Sequence, residues 1–356
     1  MDLFKDANFD RHERVIFYHD QASGLRAVIA IHNTTRGPAA GGTRMWNYLD
    51  TDQAVTDALR LSRGMSYKNA MANLPFGGGK AVIMGDSHKH KTPELMMAFG
   101  RCVESLHGDY ITAEDVGITV EDMQHVTTQT RYVTGLPGHG ELSGDPSPKT
   151  AYGVLIGIQA AVGHKLGRDN LDGIIVSVQG VGGVGYDLCR RLAEAGAKLL
   201  VADIDEEKIE RSCDEFGATS SPVDGIVFEQ ADVFAPCALG GILDKDSIPK
   251  LNVPIVAGGA NNQLATLQDG DTLRERGILF APDYVINAGG IISVAHEYLH
   301  GADRGTIERE IEEIGPRLSY IFEEAERRGQ STNALADQMA EELLYPKPPG
   351  EPGGKA

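Results

Sequence analysis

The chain has 356 residues, 41% of them hydrophobic and 24% charged, which is typical of a globular protein with enough length for two domains. Its formal net charge of -18 argues against nucleic acids and anionic membranes as partners. The 4 cysteines form no C-x-x-C pair, and we find neither a signal-peptide pattern nor an apolar run of about 18 residues, so we expect a cytoplasmic protein without a metal site or a disulfide framework.

Strands and helices are mixed in the first part of the chain. The spacing of apolar residues predicts strands at 27–32 and 81–84 and helices at 52–61 and 93–106. A segment rich in Gly, Pro and Ser at 135–148 then predicts a linker or hinge. We therefore predict a first α/β domain over residues 1–135.

The second part is more regular, because strands alternate with helices. Helices are predicted at 150–162, 184–193 and 206–216, and strands at 174–179, 198–202, 232–235, 254–257 and 278–281. This alternation is typical of βαβ units that form a parallel sheet with helices on both faces. We predict a Rossmann-type, doubly wound domain over 136–329, one long charged helix at 306–328, a helix at 333–344 and a disordered tail at 346–356.

A glycine pattern at the first strand–helix turn of this second domain is typical of dinucleotide binding. Gly180, Gly182 and Gly185 follow a predicted strand and open a predicted helix, and Asp203 ends the next strand. The glycines would allow a tight turn, the approach of a pyrophosphate and close packing of the helix, whereas the carboxylate would bind a ribose and repel a 2′-phosphate. The alternative is a glycine-rich turn without a ligand. We predict NAD binding, in preference to NADP.

Two further loops follow strands of the same sheet, where such folds bind ligands. The loop at 235–240 contains Cys237, which we interpret as a small residue near the nicotinamide, with a nucleophilic cysteine as the alternative. The loop at 258–262 ends in Asn262, whose side-chain amide can bind the nicotinamide ribose or the substrate.

Three glycines run into a lysine in the stretch LPFGGGKAVI at 74–83. A phosphate-binding P-loop needs Ser or Thr after the lysine and a helix beyond it, but Ala81 and a predicted strand follow here. We therefore reject a phosphate site at Lys80. We interpret the glycines at 77–79 as a loop that leaves room for a small substrate and the nicotinamide close to this lysine.

The first domain contains two lysines and a carboxylate with the chemistry of an active site, namely Lys68, Lys80 and Asp115. One lysine could bind a substrate carboxylate, and a desolvated one could act as a general base near neutral pH. The carboxylate could move protons or hold an ammonium group. The alternative is that both lysines are merely solvated, and spacing alone does not decide between these interpretations.

Several longer stretches resemble the Glu/Leu/Phe/Val amino-acid dehydrogenase family, in particular its leucine/phenylalanine/valine branch. They are IHNTTRGPAAGGTRMWNY (31–48), ALRLSRGMSYKNAMANLPFGGGK (58–80), YITAEDVGITVEDM (110–123), DPSPKTAYG (145–153), VQGVG (178–182), FAPCALG (234–240) and APDYVINAGG (281–290). The combination of GGGK, RGMSYK and NAGG is highly specific. The resemblance implies that NAD and an L-amino acid, branched-chain and above all leucine, are converted into the 2-oxo acid, ammonia and NADH.

By this resemblance, Lys68 and Asn262 bind the substrate carboxylate. Lys80 would activate the water that attacks the iminium left after hydride transfer, and Asp115 would bind the amino group and assist proton transfer. The other implied substrate-binding residues are Gly41 and Met65 in the pocket wall and Ala40, Ala113, Ile291 and Val294 at the substrate side chain. The family also implies self-association into an octamer or a dimer, and we assign substrate binding and oligomerisation to residues 1–135 together with a C-terminal helix at about 330–345.

The residues expected to contact NAD are Thr150, Gly180, Gly182, Gly183, Val184, Gly185, Asp203, Ile204, Cys237, Ala238, Ala260, Asn262 and Asn287. Two other functions remain open. One is an aromatic amino-acid dehydrogenase, because Ala40 enlarges the pocket relative to the Leu common in leucine enzymes, although Ala113 matches them. The other is a non-catalytic NAD-binding sensor, against which the presence of both lysines and Asp115 argues.

Overall fold

The computed structural model describes residues 2–136, 145–299 and 303–346. It contains two compact units: unit 1 comprises Met1–Gly144, Val294–Gly301 and Met339–Ala356, and unit 2 comprises Asp145–Ser293 and Ala302–Gln338. Most of the predicted linker, at 137–144, and the predicted tail from 347 onwards lie outside the described residues. Within the described part of the chain, no helix is both long and apolar enough to cross a membrane.

Unit 1 is built on a mixed sheet of six strands. Its elements are β1 (Arg14–Asp20), β2 (Leu25–Asn33), β3 (Ala39–Ala40), β4 (Thr43–Trp46), α1 (Thr51–Met71), β5 (Gly77–Met84), α2 (Pro93–Glu104), β6 (Tyr110–Ile111) and α3 (Val120–Thr127). The strand order is β1-β2-β5-β3-β6, with β4 also paired to β5. β2 is antiparallel to both of its neighbours, β1 and β5, whereas β3 and β4 run parallel to β5 and β6 runs parallel to β3.

The alternation of side chains along β5 decides what each of its residues faces. Val82 belongs to a buried cluster with the apolar residues of α1. Ala81 and Ile83 belong to a second cluster, on the opposite face, with the apolar residues of α2 and α3. Lys80 is two residues from Val82 and therefore lies on the α1 face of the sheet. The sequence pattern could not assign this face, because β5 is buried on both sides from Gly77 to Ile83.

Helix α1 is longer than the helix predicted at 52–61, because it continues through RGMSYK to Met71. The prediction stopped early since serines and Gly64 interrupt the apolar periodicity after Leu61. The helix begins where the Asp50 carboxylate accepts a hydrogen bond from the backbone N–H of Gln53. As a result, the predicted substrate-binding residue Lys68 lies on a helix that packs against β5.

The glycines at 77–79 form the start of β5, so the interpretation of this segment as a loop is wrong. A Cβ atom on Gly78 would overlap the backbone of Ser66 in α1, and one on Gly79 would lie 2.7 Å from Cδ2 of Tyr110. These glycines therefore let α1 and the Tyr110 ring approach the strand closely. The space that we had assigned to a substrate and the nicotinamide is filled by the protein itself.

Unit 2 contains most of the remaining elements. They are α4 (Ser147–Leu166), β7 (Ile175–Gln179), α5 (Gly183–Glu194), β8 (Lys198–Ala202), α6 (Glu206–Phe216), β9 (Thr219–Ser220), β10 (Val233–Pro236), β11 (Ile255–Val256), α7 (Gln268–Glu275), β12 (Leu279–Phe280), α8 (Asp283–Ile286), α9 (Gly289–Leu299), α10 (Arg304–Glu312), α11 (Ile314–Arg328) and α12 (Thr332–Leu344). Helices α9 and α12 contribute residues to both units. The sequence patterns did not predict β1, α3, α7 and α9.

The sheet of unit 2 has the order β12-β11-β10-β7-β8-β9, and every pair in it is parallel. Counted from β7, this order is the 3-2-1-4-5-6 arrangement of the Rossmann fold. The predicted doubly wound α/β domain is therefore confirmed. The order reverses between β7 and β10, and ligands of such sheets bind at the carboxyl ends of the strands beside this reversal.

The single helix predicted at 306–328 is two helices, α10 and α11, which meet at Glu313. Pro316 explains the break, because proline has no N–H to donate to the carbonyl of residue 312 and its ring clashes with that carbonyl in a continuous helix. The prediction considered the charged periodicity of the segment and overlooked this proline.

Candidate active site and dinucleotide-binding edge

A buried ion pair joins two of the predicted catalytic residues. Lys80 Nζ lies 2.6 Å from Asp115 Oδ2, and only 7% of the lysine side chain is exposed. β5 carries the lysine, while Asp115 follows β6 in a segment that is held against β4. There, the backbone N–H of Thr43 donates to the carbonyl of Ala113 over 2.8 Å. The chain thus brings together residues that lie 35 positions apart in sequence.

The ion pair continues into a chain of charged groups. Arg44, on β4, donates from Nε to Asp115 Oδ2 over 3.2 Å and from Nη1 to Asp57 Oδ2 over 3.0 Å. Asp57, on α1, also accepts a hydrogen bond of 2.7 Å from the Tyr48 hydroxyl. Sequence reasoning did not assign a role to Arg44, Tyr48 or Asp57. The first two lie in the stretch 31–48, but nothing in their spacing indicates that they would meet a residue of α1.

Burial and charge act in opposite directions on the pKa of Lys80. Burial disfavours the ammonium form and lowers the pKa of Lys80 below its usual value, although the Asp115 carboxylate opposes this shift. Burial raises the pKa of Asp115, but the charges of Lys80 and Arg44 outweigh it, so the pKa of this carboxyl is lowered. The site therefore contains a permanent carboxylate beside an amine that gives up its proton more readily than a solvated lysine.

Several of the predicted substrate-binding residues of unit 1 lie beside the glycines that precede Lys80 on β5. A Cβ atom on Gly41 would overlap the carbonyl of Gly79 and lie 3.2 Å from Met65 Cγ. Met65 of α1 therefore lies beside the short connection between β3 and β4. Ala40 pairs with Gly78 across the sheet. Glycine at position 41 is thus required by the close approach of two strands.

Val294 belongs to the same unit, and Thr134 links it to the segment that contains Ala113. The Thr134 hydroxyl donates to the carbonyl of Val294 over 3.1 Å, and the Thr134 N–H donates to the carbonyl of Thr112, the neighbour of Ala113. The half-buried Lys68 is also in unit 1, on α1. The two other predicted substrate-binding residues, Asn262 and Ile291, belong to unit 2.

The glycine pattern forms the turn between β7 and α5. Gly180 has a φ of +89°, a conformation that favours glycine, and Gly182 is the N-cap of α5 without a side-chain cap. A Cβ atom on Gly185 would overlap the carbonyl of Gly180, so the third glycine allows the helix to pack on the turn. Around Gly182, by contrast, no described atom lies within 4 Å of a Cβ built there. The protein's own packing does not explain this glycine.

Asp203 lies at the carboxyl end of β8, next to the glycine turn. Its Oδ2 accepts a hydrogen bond of 2.8 Å from the N–H of Val181, and its Oδ1 accepts one of 3.1 Å from the N–H of Asp205. The carboxylate is thus held at the edge of the sheet with lone pairs left for a further donor. The side chain of the next residue, Ile204, is 90% exposed, which is unusual for an isoleucine.

The two further predicted loops lie at the same edge, beyond β10 and β11. A Cβ atom on Gly180 would lie 2.7 Å from that of Ala238, and one on Gly259 would lie 2.9 Å from Val184 Cγ1 and 3.7 Å from the Cys237 sulfur. Burial raises the pKa of Cys237 to about 11, so its thiol keeps its proton at neutral pH. This protonation state argues against a nucleophilic cysteine.

The residues at this edge fit a dinucleotide. Asn287 donates from Nδ2 to Asn261 Oδ1 over 2.9 Å, but its buried Oδ1 accepts no hydrogen bond from the described residues. A buried acceptor without a donor is costly and is explained when a ligand supplies the donor. Together with the uncapped helix terminus and the open space at Gly182, it indicates a polar ligand with an anionic group. Thr150 lies beside Gly290 in the same unit, since a Cβ on Gly290 would be 2.5 Å from the Thr150 hydroxyl.

Comparison with known proteins yields two matching family models. Residues 12–132 match the model described as Glu/Leu/Phe/Val dehydrogenase, dimerisation domain. Residues 201–338 match the model described as Glutamate/Leucine/Phenylalanine/Valine dehydrogenase. Between them, the two models span most of both compact units.

Similar proteins act on different amino acids. Leucine dehydrogenase of Geobacillus stearothermophilus is 51% identical over 344 residues, which is 97% of this chain and 94% of that protein. Phenylalanine dehydrogenase of Lysinibacillus sphaericus is 47% identical over 319 residues, 88% of this chain and 84% of that protein. The crystal structure of L-tryptophan dehydrogenase from Nostoc punctiforme superposes with a TM-score of 0.83 at 44% identity, covering 94% of this chain and 96% of the other.

The fold, the site and these matches define an amino-acid dehydrogenase, an oxidoreductase of a class that uses a nicotinamide cofactor. The chain belongs to the Glu/Leu/Phe/Val dehydrogenase family. The family resemblance found in the sequence motifs is thereby confirmed.

Gly182→Ala tests whether the glycine turn receives the cofactor. Because the added methyl group meets no described atom, we expect a loss of unfolding free energy below about 1 kcal/mol, from weaker helix capping alone. We also expect KM for the cofactor to rise by roughly tenfold or more, since each 1.4 kcal/mol of lost binding is tenfold. Thermal unfolding and cofactor titrations of the variant measure both effects.

The matched control for that experiment is Gly185→Ala. Its methyl group would overlap the Gly180 carbonyl, so this variant should lose about 1–3 kcal/mol or more of stability. Unchanged cofactor affinity in Gly182→Ala would show that the pyrophosphate binds elsewhere.

Proposed function

We propose that this chain catalyses the NAD-dependent oxidative deamination of a branched-chain L-amino acid, with leucine as the preferred substrate. The products are the 2-oxo acid, ammonia and NADH. The observation that carries the proposal is the buried Lys80–Asp115 pair, at 2.6 Å, in a chain that is 51% identical to a leucine dehydrogenase over 97% of its length. Unit 1 would bind the substrate, and unit 2 would bind the cofactor.

The residues of unit 1 suit the steps of this reaction. Lys68 binds the substrate carboxylate as a point charge. When bound, the cofactor supplies the acceptor for the hydride that leaves Cα. Lys80, as the neutral amine, takes a proton from the water that attacks the iminium carbon, and Asp115 holds the amino group and passes protons on. The lowered pKa of Lys80 supports its role as the base.

In unit 1, the substrate side chain would meet small and aliphatic residues, namely Ala40, Ala113 and Val294. A pocket of this kind favours a branched aliphatic side chain. A difference of one or two methylene groups gives only about 1–3 kcal/mol of discrimination, so related side chains compete. The similarity to a phenylalanine and to an L-tryptophan dehydrogenase supports an aromatic amino-acid dehydrogenase as the second candidate.

A substrate panel separates the two candidates. NADH formation with L-Leu, L-Val, L-Ile, L-Met, L-Phe and L-Trp is followed at steady state, and kcat/KM is compared. We expect the highest value for L-Leu and a value roughly tenfold or more lower for the aromatic substrates, on the scale of one or two methylene groups. A kcat/KM for L-Phe or L-Trp above that for L-Leu would favour the second candidate. No turnover with any amino acid would favour a cofactor-binding sensor.

Replacement of Asp203 tests the preference for NAD over NADP. In Asp203→Gly, the ribose loses a charged acceptor and a 2′-phosphate is no longer repelled, so the NAD/NADP ratio of kcat/KM should fall on the order of tenfold to a hundredfold. Asp203→Asn is the matched control, because its side-chain oxygen can still accept from the Val181 N–H, while the charge and the second acceptor oxygen, which binds the Asp205 N–H, are lost. Unchanged selectivity in both variants would show that the ribose contact is made by another residue.

The proposal includes self-association through unit 1. The family model that matches residues 12–132 is described as a dimerisation domain, which supports a homo-oligomer. The number of subunits predicted from the resemblance, eight or two, can be measured by light scattering after size-exclusion chromatography.

A further inference from the structure

We propose that Arg44 is a positioning residue for the reaction: it orients the Asp115 carboxylate, and its charge keeps the Lys80 amine available as a base. The inference rests on the proposed function, because it concerns the same lysine and carboxylate. Arg44 is not among the residues that the sequence indicated, and it does not touch Lys80 directly in the contacts described above. It acts through Asp115.

The position of Arg44 follows from the pairing of β4 with β5. Arg44 lies opposite Val82 in the parallel register, so its side chain lies on the face of the sheet that carries Lys80. The Arg44 side chain is only 23% exposed, and its guanidinium binds the carboxylates of both Asp115 and Asp57. A planar guanidinium has separate donors for two acceptors in fixed directions, whereas an ammonium group is a single point charge. This geometry requires arginine at position 44.

Asp57 is itself held in place, which makes Arg44 rigid. Its Oδ2 accepts from the Tyr48 hydroxyl over 2.7 Å as well as from Arg44, and 14% of its side chain is exposed. Because α1 carries Asp57 and packs along β5, the guanidinium is fixed relative to the strand that carries Lys80. The Asp115 oxygen that meets Lys80 is the same Oδ2 that meets Arg44. Loss of Arg44 would therefore free the carboxylate at the atom that faces the amine.

The charged groups around Lys80 lie on β4, on α1 and in the segment after β6. Negative groups are Asp115 after β6 and Asp57 on α1, and the positive group in contact with Asp115 is Arg44 on β4. Another positively charged residue, Lys68, lies on α1. Two further titratable groups are uncharged at neutral pH: Tyr110 on β6, whose pKa burial raises, and His32 on β2, whose pKa burial lowers to about 3.

The signs of these charges define the expected effect of each substitution. The positive charge of Arg44 lowers the pKa of Lys80, and the negative charges of Asp115 and Asp57 raise it. Removal of Arg44 should therefore raise the pKa of Lys80, so that the amine keeps its proton to higher pH. Removal of the Asp57 charge should lower the pKa of Lys80, because a negative charge is lost and Asp115 is then the remaining carboxylate partner of Arg44 in this network.

The test is the pH profile of kcat/KM for amino-acid oxidation in wild type, Arg44→Gln and Arg60→Gln. In Arg44→Gln, we expect the acidic limb to move to higher pH by about one unit, the order expected for one charge near the site. The rate below the pKa then falls about tenfold and recovers at high pH. Arg60→Gln is the matched control: Arg60 pairs with Oδ1 of Asp57 from the solvent side and does not contact Asp115, so its profile should equal wild type.

Two further variants keep the proposal falsifiable if Arg44→Gln folds poorly. Asp57→Asn should move the acidic limb to lower pH. Arg44→Lys keeps the positive charge but loses the two separate donors of the guanidinium. The acidic limb of its pH profile should therefore stay at the wild-type pH, while the maximum kcat/KM at high pH falls. An acidic limb that stays at the wild-type pH in Arg44→Gln, or a rate that falls equally at every pH, would overturn the role of Arg44 and indicate a merely structural one.

A second readout is independent of turnover. Competitive acetylation with acetic anhydride, read peptide by peptide by mass spectrometry, gives the apparent pKa of each lysine in the full chain. The pKa of Lys80 should rise in Arg44→Gln, whereas the acetylation of Lys91, which pairs with Asp122 over 2.7 Å, should equal that in wild type. If wild type oxidises no amino acid, the proposed function fails, and this measurement still decides the effect of Arg44. An unchanged pKa of Lys80 overturns the inference even in an active enzyme.

Discussion

Lys80→Ala is expected to lower kcat for amino-acid oxidation by about 10²–10⁴-fold at every pH, the usual contribution of a general base. Cofactor affinity should persist, because the glycine turn and Asp203 belong to unit 2. The fold should also persist: Asp115 keeps Arg44 as a partner at 3.2 Å, so the carboxylate is not left buried without a counter-charge. Steady-state kinetics, cofactor titration and thermal unfolding measure the three quantities.

The matched control is Lys91→Ala. Lys91 also pairs with a carboxylate, Asp122, and is 18% exposed, but it lies outside the network of Asp115 and Arg44. We expect it to retain wild-type turnover.

In wild type, kcat/KM should rise with pH through the pKa of Lys80, since the base must lose its proton and burial lowers that pKa. Near-normal turnover in Lys80→Ala would show that another group is the base.

Gly78→Ala is expected to cause the largest loss of stability. The added methyl group would overlap the backbone N and Cα of Ser66 in α1, and neither the helix nor β5 can shift without moving the sheet. Overpacking of a core costs about 1–3 kcal/mol, and a clash with backbone atoms, which cannot rotate away as a side chain can, should reach or exceed the upper figure. Turnover should fall as well, because α1 carries Met65, Lys68 and Asp57. Denaturant unfolding of the variant measures the change.

Gly64→Ala provides the control on the same helix. No described atom lies within 4 Å of a Cβ built on Gly64, which is exposed on α1. Alanine is favoured over glycine in a helix interior by roughly 0.5–1 kcal/mol, so this variant should be slightly more stable than wild type. An unfolding midpoint for Gly78→Ala equal to that of wild type would show that α1 and β5 separate more easily than their packing suggests.

The regular second half of the chain was well predicted from sequence. β7, β8, β10, β11 and β12 occur at the predicted positions to within two residues, since short apolar runs between helical segments are read reliably in βαβ units. The glycine turn before α5 was also predicted, because a tight turn depends on local backbone geometry and the glycine spacing in the sequence indicates it. The break between α10 and α11 was missed only because Pro316 was overlooked.

Unit 1 was predicted less completely. The two-residue strands β3 and β6 carry too little pattern to be recognised, and the glycines at the start of β5 are poor strand formers that are explained by their neighbours Ser66 and Tyr110. Strand pairing among β2, β5, β3 and β4 joins segments far apart in the chain, so no local pattern reveals it. The end of α1 was missed because polar contacts, such as Asn69 Nδ2 to the Gly77 carbonyl at 2.6 Å, replace apolar periodicity there.

The sequence by itself determined the class of fold, the family, the turn at Gly180–Gly185 and the candidate pair Lys80 and Asp115, because motifs and strand–helix alternation are local properties of the chain. The tertiary structure decided which face of β5 Lys80 occupies, why residues 77–79 are glycines, and that Arg44 and Asp57 join the ion pair. These features depend on contacts between β4, β5 and α1, whose residues meet only when the sheet has formed. Burial then lowers the pKa of Lys80, and no pattern of residue types expresses burial.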